Sequence, residues 1–179
     1  MLRRLAVLGL VAVPVAFVAD RLLAAFRGGA APEPLRMMVV VDAPIEATWE
    51  VVADIRLQTE WMAEMKDVVV TTMGATGVGT RGEATVRIAG ISVTDPVEVV
   101  EFQPPHRYAI RHEGLFKGGG VITLEAGAGN ATTVVRWDET LVPPLLPALG
   151  ALVQAPILRA IFQADLELLK RLVESGSVD

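Results

Sequence analysis

Two histidines, three serines and no cysteine leave this chain little material for nucleophilic or metal chemistry. Ser92 falls in a strand-like run, and Ser175 and Ser177 fall in the C-terminal tail, so a Ser-His-Asp arrangement has nowhere to assemble. His106 and His112 share one strand and one face, but six residues at ~3.3 Å each hold them ~20 Å apart, too far to ligate one ion. No metal and no cofactor is therefore expected.

The informative polar residues are those that the pattern turns inward. Tyr108, Ile110 and His112 share the more apolar face of their strand, while Arg111 and Glu113 take the other. Further on, Val135, Trp137, Glu139 and Leu141 alternate with Val134, Arg136 and Asp138, which places Glu139 inside. Asp165 lies within the apolar arc of a helix, among Ile161, Phe162, Leu168 and Leu169. An unpartnered buried charge is costly, so these groups should be paired or line a wet cavity.

Two chemistries fit them. In a binding protein, Tyr108, His112 and Glu139 orient a mainly apolar ligand, Trp137 stands beside Glu139, and Trp61, Met62, Met65 and Met73 add a soft lining. In an enzyme, His112 is a general base and Glu139 or Asp165 a general acid. As strands five and seven of a meander, their carriers would hold His112 and Glu139 ~10 Å apart, a gap for a ligand to fill. Asp165 and Glu139 read more readily as satisfied structural groups, Asp165 bonded to backbone or an arginine where the helix crosses the sheet.

The elements that must position these residues follow from periodicity. Leu35 to Val41 is a β-branched, Met-rich strand that ends at Asp42-Ala43-Pro44. Ile45, Trp49, Val52 and Ala53 then share one face of a short helix, and Asp54 caps a second one carrying Leu57, Trp61 and Met65. From there the period is two. Strands are expected over 67–73, 80–89, 91–102 (broken at Pro96), 106–115, 121–125 and 131–141, joined by glycine- and proline-rich turns. The turn GATGVG (Gly74–Gly79) lacks a Gly-Lys-Ser/Thr ending and precedes a strand, so it is no phosphate loop. Gly118–Gly120 reads as a hairpin feature or bulge. A lead-in interrupted by proline, Leu141–Ala155, is followed by an amphipathic helix over Leu158–Val173. The order describes an α+β domain in which a curved antiparallel sheet of about seven strands wraps a long C-terminal helix.

The chain has 179 residues, 52 % hydrophobic and 21 % charged, which excludes a disordered polypeptide. Residues 1–35 hold Arg3, Arg4, Arg21 and Arg27 against Asp20 and Glu33, a net +2; with −5 overall, residues 36–179 carry −7. Such an acidic body does not fit a nucleic-acid partner.

Much of the apolar excess is N-terminal. Arg3-Arg4 precede a fifteen-residue uncharged run, Leu5–Ala19, with the look of an export signal. If Asp20 and Arg21 snorkel, Leu5 to Phe26 makes a helix of ~33 Å, enough to cross a bilayer core of ~30 Å. The expected organisation is an anchor or signal segment over 1–27, a linker over 28–35, a ligand-binding domain over 36–175 and a tail over 176–179. A single membrane anchor with an extracytoplasmic domain is the leading localisation, and secretion after signal cleavage the alternative. The sequence does not set the oligomeric state.

At the level of motifs the chain resembles the polyketide cyclase/dehydrase and lipid-transport superfamily, the SRPBCC, START-like or helix-grip fold. The resemblance is carried by VVVDAPIEATWEVVADI at Val39–Ile55, the following Trp61, MGATGVGT at Met73–Thr80 and ADLELLKRLVE at Ala164–Glu174. It implies a hydrophobic cavity between sheet and helix that holds a lipid, sterol or polyketide-like molecule. The expected function is thus a membrane-tethered binder or carrier of a hydrophobic small molecule. The alternatives are an aromatase/cyclase-type enzyme and a non-catalytic interaction module with a filled core.

Overall fold

The computed structural model describes residues 15–29, 32–88 and 90–176. Its chain order is helix α1 (described over 15–26), β1 (Leu35–Val41), α2 (Ile45–Ala53), a 3-10 turn (Ile55–Leu57), α3 (Gln58–Trp61), strands β2 to β7, and helix α4 (Pro147–Ser175). The strands are β2 (Met65–Val70), β3 (Arg81–Ile88), β4 (Ile91–Gln103), β5 (Arg107–His112), β6 (Lys117–Ala126) and β7 (Thr133–Val142). They form one antiparallel sheet in the order β1-β7-β6-β5-β4-β3-β2, so every neighbour except the β1–β7 pair is consecutive in sequence. Helix α4 packs along β1 and meets α2, α3 and β7, which is the expected helix-grip arrangement.

Period-two burial fixes which face of the sheet looks at the helix. Leu35, Met37, Val39 and Val41 of β1 point inward, and β7 buries Thr133, Val135, Trp137 and Glu139. Between sheet and helix lies one core with two aromatic groupings. Phe102 packs edge-on against both Trp49 (5.3 Å) and Tyr108 (6.4 Å). Trp137 lies between Trp61 (5.9 Å) and Phe162 (4.8 Å).

Four local expectations need correction. The C-terminal helix runs unbroken from Pro147 through Pro156 to Ser175. Pro147 suits a first helical turn, and the carbonyl that Pro156 cannot serve belongs to Leu152, on the exposed side of the helix rather than in the core. Pro96 does not end β4. It stands opposite Glu83 and contributes its carbonyl, which accepts from the Glu113 N–H at 2.8 Å. Gly118–Gly120 lie inside β6 rather than in a hairpin turn or bulge, paired with both β5 and β7. Met73 is fully exposed beyond the end of β2 and lines no interior surface.

The expected membrane span is only partly covered, because Leu5–Pro14 lie outside the described residues. Among the described residues no helix is long and apolar enough to cross a membrane. The part that is described does not let Asp20 snorkel. Asp20 is 5 % exposed, and its Oδ1 accepts from the N–H groups of Ala148 (2.9 Å) and Leu149 (2.8 Å). Those are orphan donors at the start of α4, whose own cap residue, Leu146, is left-handed and provides no side-chain bond. Asp20 thus clasps α1 to the folded domain.

Candidate functional site

A chain of charged groups crosses the inner face of the sheet from β4 to β7. His112, at the end of β5, places Nδ1 2.6 Å from Asp95 Oδ2 on β4 and Nε2 3.2 Å from Glu139 Oε1 on β7. The other oxygen of Glu139 accepts from Trp137 Nε1 at 3.0 Å. Asp95 and Glu139 are both buried, and His112 is mostly so.

Glycine makes this contact possible. His112 stands opposite Gly118 and Glu139 opposite Gly120, so β6 separates the two side chains. A Cβ at Gly120 would collide with Glu139 Oε2 and sit 3.1 Å from Trp137 Nε1. A Cβ at Gly114 would likewise collide with Asp95 Oδ1. The bare backbone of β6 is a window through which strands β5 and β7 touch. The expected ~10 Å gap between His112 and Glu139 is therefore closed by a direct bond.

The electrostatics follow from this closure. Burial alone would drive the imidazole toward neutrality. The hydrogen bonds to Asp95 and Glu139, and their negative charges, outweigh it and push His112 up to about 9. At neutral pH the ring carries a proton on both nitrogens, each donated to a carboxylate.

Glu139 is also where the chain of charges meets open space. A cavity of about 580 Å³ lies between the sheet, the linker and the first half of α4. Leu35, Glu139 and Leu141 form its sheet wall, Leu152, Ala155 and Pro156 its helix wall. Pro32 and Pro34 close it on the linker side, and Arg27, Glu33 and Arg159 bring charge to it. The linker, which the sequence marks only as a boundary, is a wall of the pocket. Its contribution is invisible to periodicity because it depends on where α1 is clasped.

The remaining sequence-derived residues separate into two groups. Trp61, Tyr108 and Trp137 are buried aromatic members of the core, and Met65 packs against it. Burial pushes the Tyr108 phenol far above its usual range, so it stays neutral. Asp165 belongs to a different place: its Oδ1 accepts from the Ala63 N–H at 3.0 Å, joining α4 to the turn after α3. Burial raises its carboxyl well above the ordinary range against the lowering effect of Ala63, and Glu64, through a shared proton and its charge, raises it further. Of the expected ligand contacts, Glu139 alone borders this cavity, and His112 reaches it only through Glu139.

Comparison with known proteins agrees with this architecture. Residues 35–174 match the family model for polyketide cyclase/dehydrase and lipid transport. No curated protein sequence matches the chain. Among solved structures, TTHA0849 from Thermus thermophilus superposes with a TM-score of 0.65 at 18 % identity, covering 80 % of this chain and 99 % of that one. A START superfamily protein from Mycobacterium smegmatis gives 0.58 at 18 % identity, covering 81 % and 97 %. The di-domain ARO/CYC BexL from the BE-7585A biosynthetic pathway gives 0.66 at 17 % identity; 83 % of this chain matches 48 % of that one. At these identities the likeness is one of fold.

Proposed function

Because this chain belongs to the polyketide cyclase/dehydrase and lipid-transport family, we propose that it binds a hydrophobic small molecule and is tethered to a membrane by its N-terminal segment. The observation that carries the reading is the cavity of about 580 Å³, with apolar sheet and helix walls, charged groups from Arg27, Glu33 and Arg159, and one buried carboxylate, Glu139, fixed among them. Both Glu139 oxygens already accept bonds from His112 and Trp137, so the carboxylate is held in place before any ligand arrives. Its remaining lone pairs accept and cannot donate. The matching ligand is an apolar molecule with a hydroxyl or similar donor at one end. Binding is favoured over cyclase chemistry because His112 is kept protonated behind Glu139 and Asp165 stands at the α3 junction.

Native mass spectrometry of the full chain, purified in mild detergent, tests this. The expected result is an adduct of small apolar mass that is lost in Ala155→Trp, where the indole fills the cavity. An equal adduct in that variant, or none in either protein, would overturn the reading.

A further inference from the structure

Helix α1 is built inside out for a segment in water. Its one acidic residue is buried at the clasp, while Phe17, Val18, Leu22 (65 % exposed) and Phe26 (90 %) face outward. The first half of α4 repeats the anomaly: Leu152, Val153, Pro156 and Ile157, at helical spacing on one stripe, are all exposed. No charged residue occurs between Glu139 and Arg159. The two surfaces are tied together at the Asp20 clasp and again at the cavity, which Arg27, just past α1, and Leu152 both border. Exposed apolar side chains gathered on two joined elements in this way are rarely left to water.

The occupant is set by the chain and the charges around it. The fifteen uncharged residues Leu5–Ala19 directly precede the clasp in sequence, too few for a helix at 1.5 Å per residue (~22 Å) to cross a ~30 Å bilayer core. Arg21, Arg27 and Arg159 are exposed with no ion-pair partner among the described residues, and Arg27 and Arg159 share the cavity wall with Glu33 and Glu139. Apolar side chains flanked by free arginines fit an anionic lipid surface.

We propose that α1 and the first half of α4 together form a bilayer-contacting face, seated at the boundary of headgroups and acyl chains, with the cavity mouth opening onto lipid. The proposal rests on the membrane tether proposed above and adds to it a fixed orientation. A tethered domain without such a face would tumble in water at the end of its linker. A seated domain receives an apolar ligand from the bilayer without exposing that ligand to solvent.

The absence of cysteine makes the test direct. Single variants Leu22→Cys, Val153→Cys, Ile157→Cys and, as the control on the same helix, Glu167→Cys are labelled with an environment-sensitive NBD fluorophore. The full chain is reconstituted in vesicles of mixed phosphatidylcholine and phosphatidylglycerol, with and without nitroxide-bearing lipid. The proposal expects blue-shifted, several-fold brighter and strongly quenched emission at 22, 153 and 157, and water-like emission at 167. Quenching at 22 with none at 153 and 157 would overturn the seated face while leaving the tether intact. Quenching at none of the sites would overturn both, and equal quenching at 167 would overturn the orientation. Ligand binding is read separately, by the mass adduct.

Discussion

The two halves of α4 obey opposite rules. From Phe162 to Glu174 the helix is a conventional amphipath: Phe162, Leu166 and Leu169 are buried, and Glu167, Arg171 and Glu174 face outward. From Pro147 to Leu158 there is no charge at all, the apolar stripe of Leu152, Val153 and Ile157 faces out, and the inner side borders a cavity instead of a sealed core. The ends are held differently too. The C-terminus stops on a left-handed Gly176 with its N–H bonded to Val173, a local device. The N-terminus is capped by Asp20, from a helix 128 residues away in sequence. One half of the helix holds the fold, and the other is shaped for something outside it.

The largest test of that division lies in the buried half. Leu166→Ala should cost ~2–5 kcal/mol, read by urea denaturation, since a fully buried leucine leaves a cavity that its neighbours only partly fill. Binding of an apolar probe, measured where the variant is folded, should be unchanged.

A second test uses the protons held on either side. His112 has its folded value raised above its unfolded one, so its contribution is complete below pH 6.5 and is lost as pH rises through 9. Between those limits the wild type should lose roughly 3 kcal/mol, and His112→Gln should flatten the slope. Asp165 is also raised in the folded state, so its contribution too is present in acid and lost as pH climbs out of the ordinary carboxylate range. Asp165→Asn, which keeps an acceptor for Ala63, should flatten the profile from the ordinary carboxylate range up to about 8, a window that overlaps that of His112 above 6.5. Denaturation midpoints measured across the pH range distinguish the two.

The glycine window comes next. Gly120→Ala should destabilise by about 1–3 kcal/mol and weaken probe binding several-fold, because Glu139 must move from the cavity wall; titration of both quantities checks it. Asp20→Ala should cost ~1 kcal/mol in thermal melts as the cap is lost. The smallest effect belongs to the outward stripe: Val153→Ser and Ile157→Ser should change stability in water by no more than ~0.5 kcal/mol. A larger loss would mean that the stripe is covered by protein.

Much of this organisation can be read from spacing. Seven strands, the GATGVG turn, the short helices after β1 and the charged face of late α4 all follow from period-two and 3.6-residue patterns, which report local geometry. The inward placement of Glu139 and Asp165 follows as well, because register fixes the face. What escapes the pattern depends on contacts distant in sequence. Gly118–Gly120 resemble turn residues until β5 and β7 are placed on either side of them. Asp20 looks like a charge to be hidden from lipid until the naked N-terminus of α4 is brought beside it. Pro156 reads as a helix boundary because the exposure that makes its lost bond cheap is set by the tertiary fold.

The most direct measurement is hydrogen exchange along α4 with and without N-phenyl-naphthylamine as an apolar probe of the cavity. Protection should rise over residues 151–159 and stay constant over 162–172. Equal protection in both halves, or none in the first, would contradict a ligand site built on the first half of the helix.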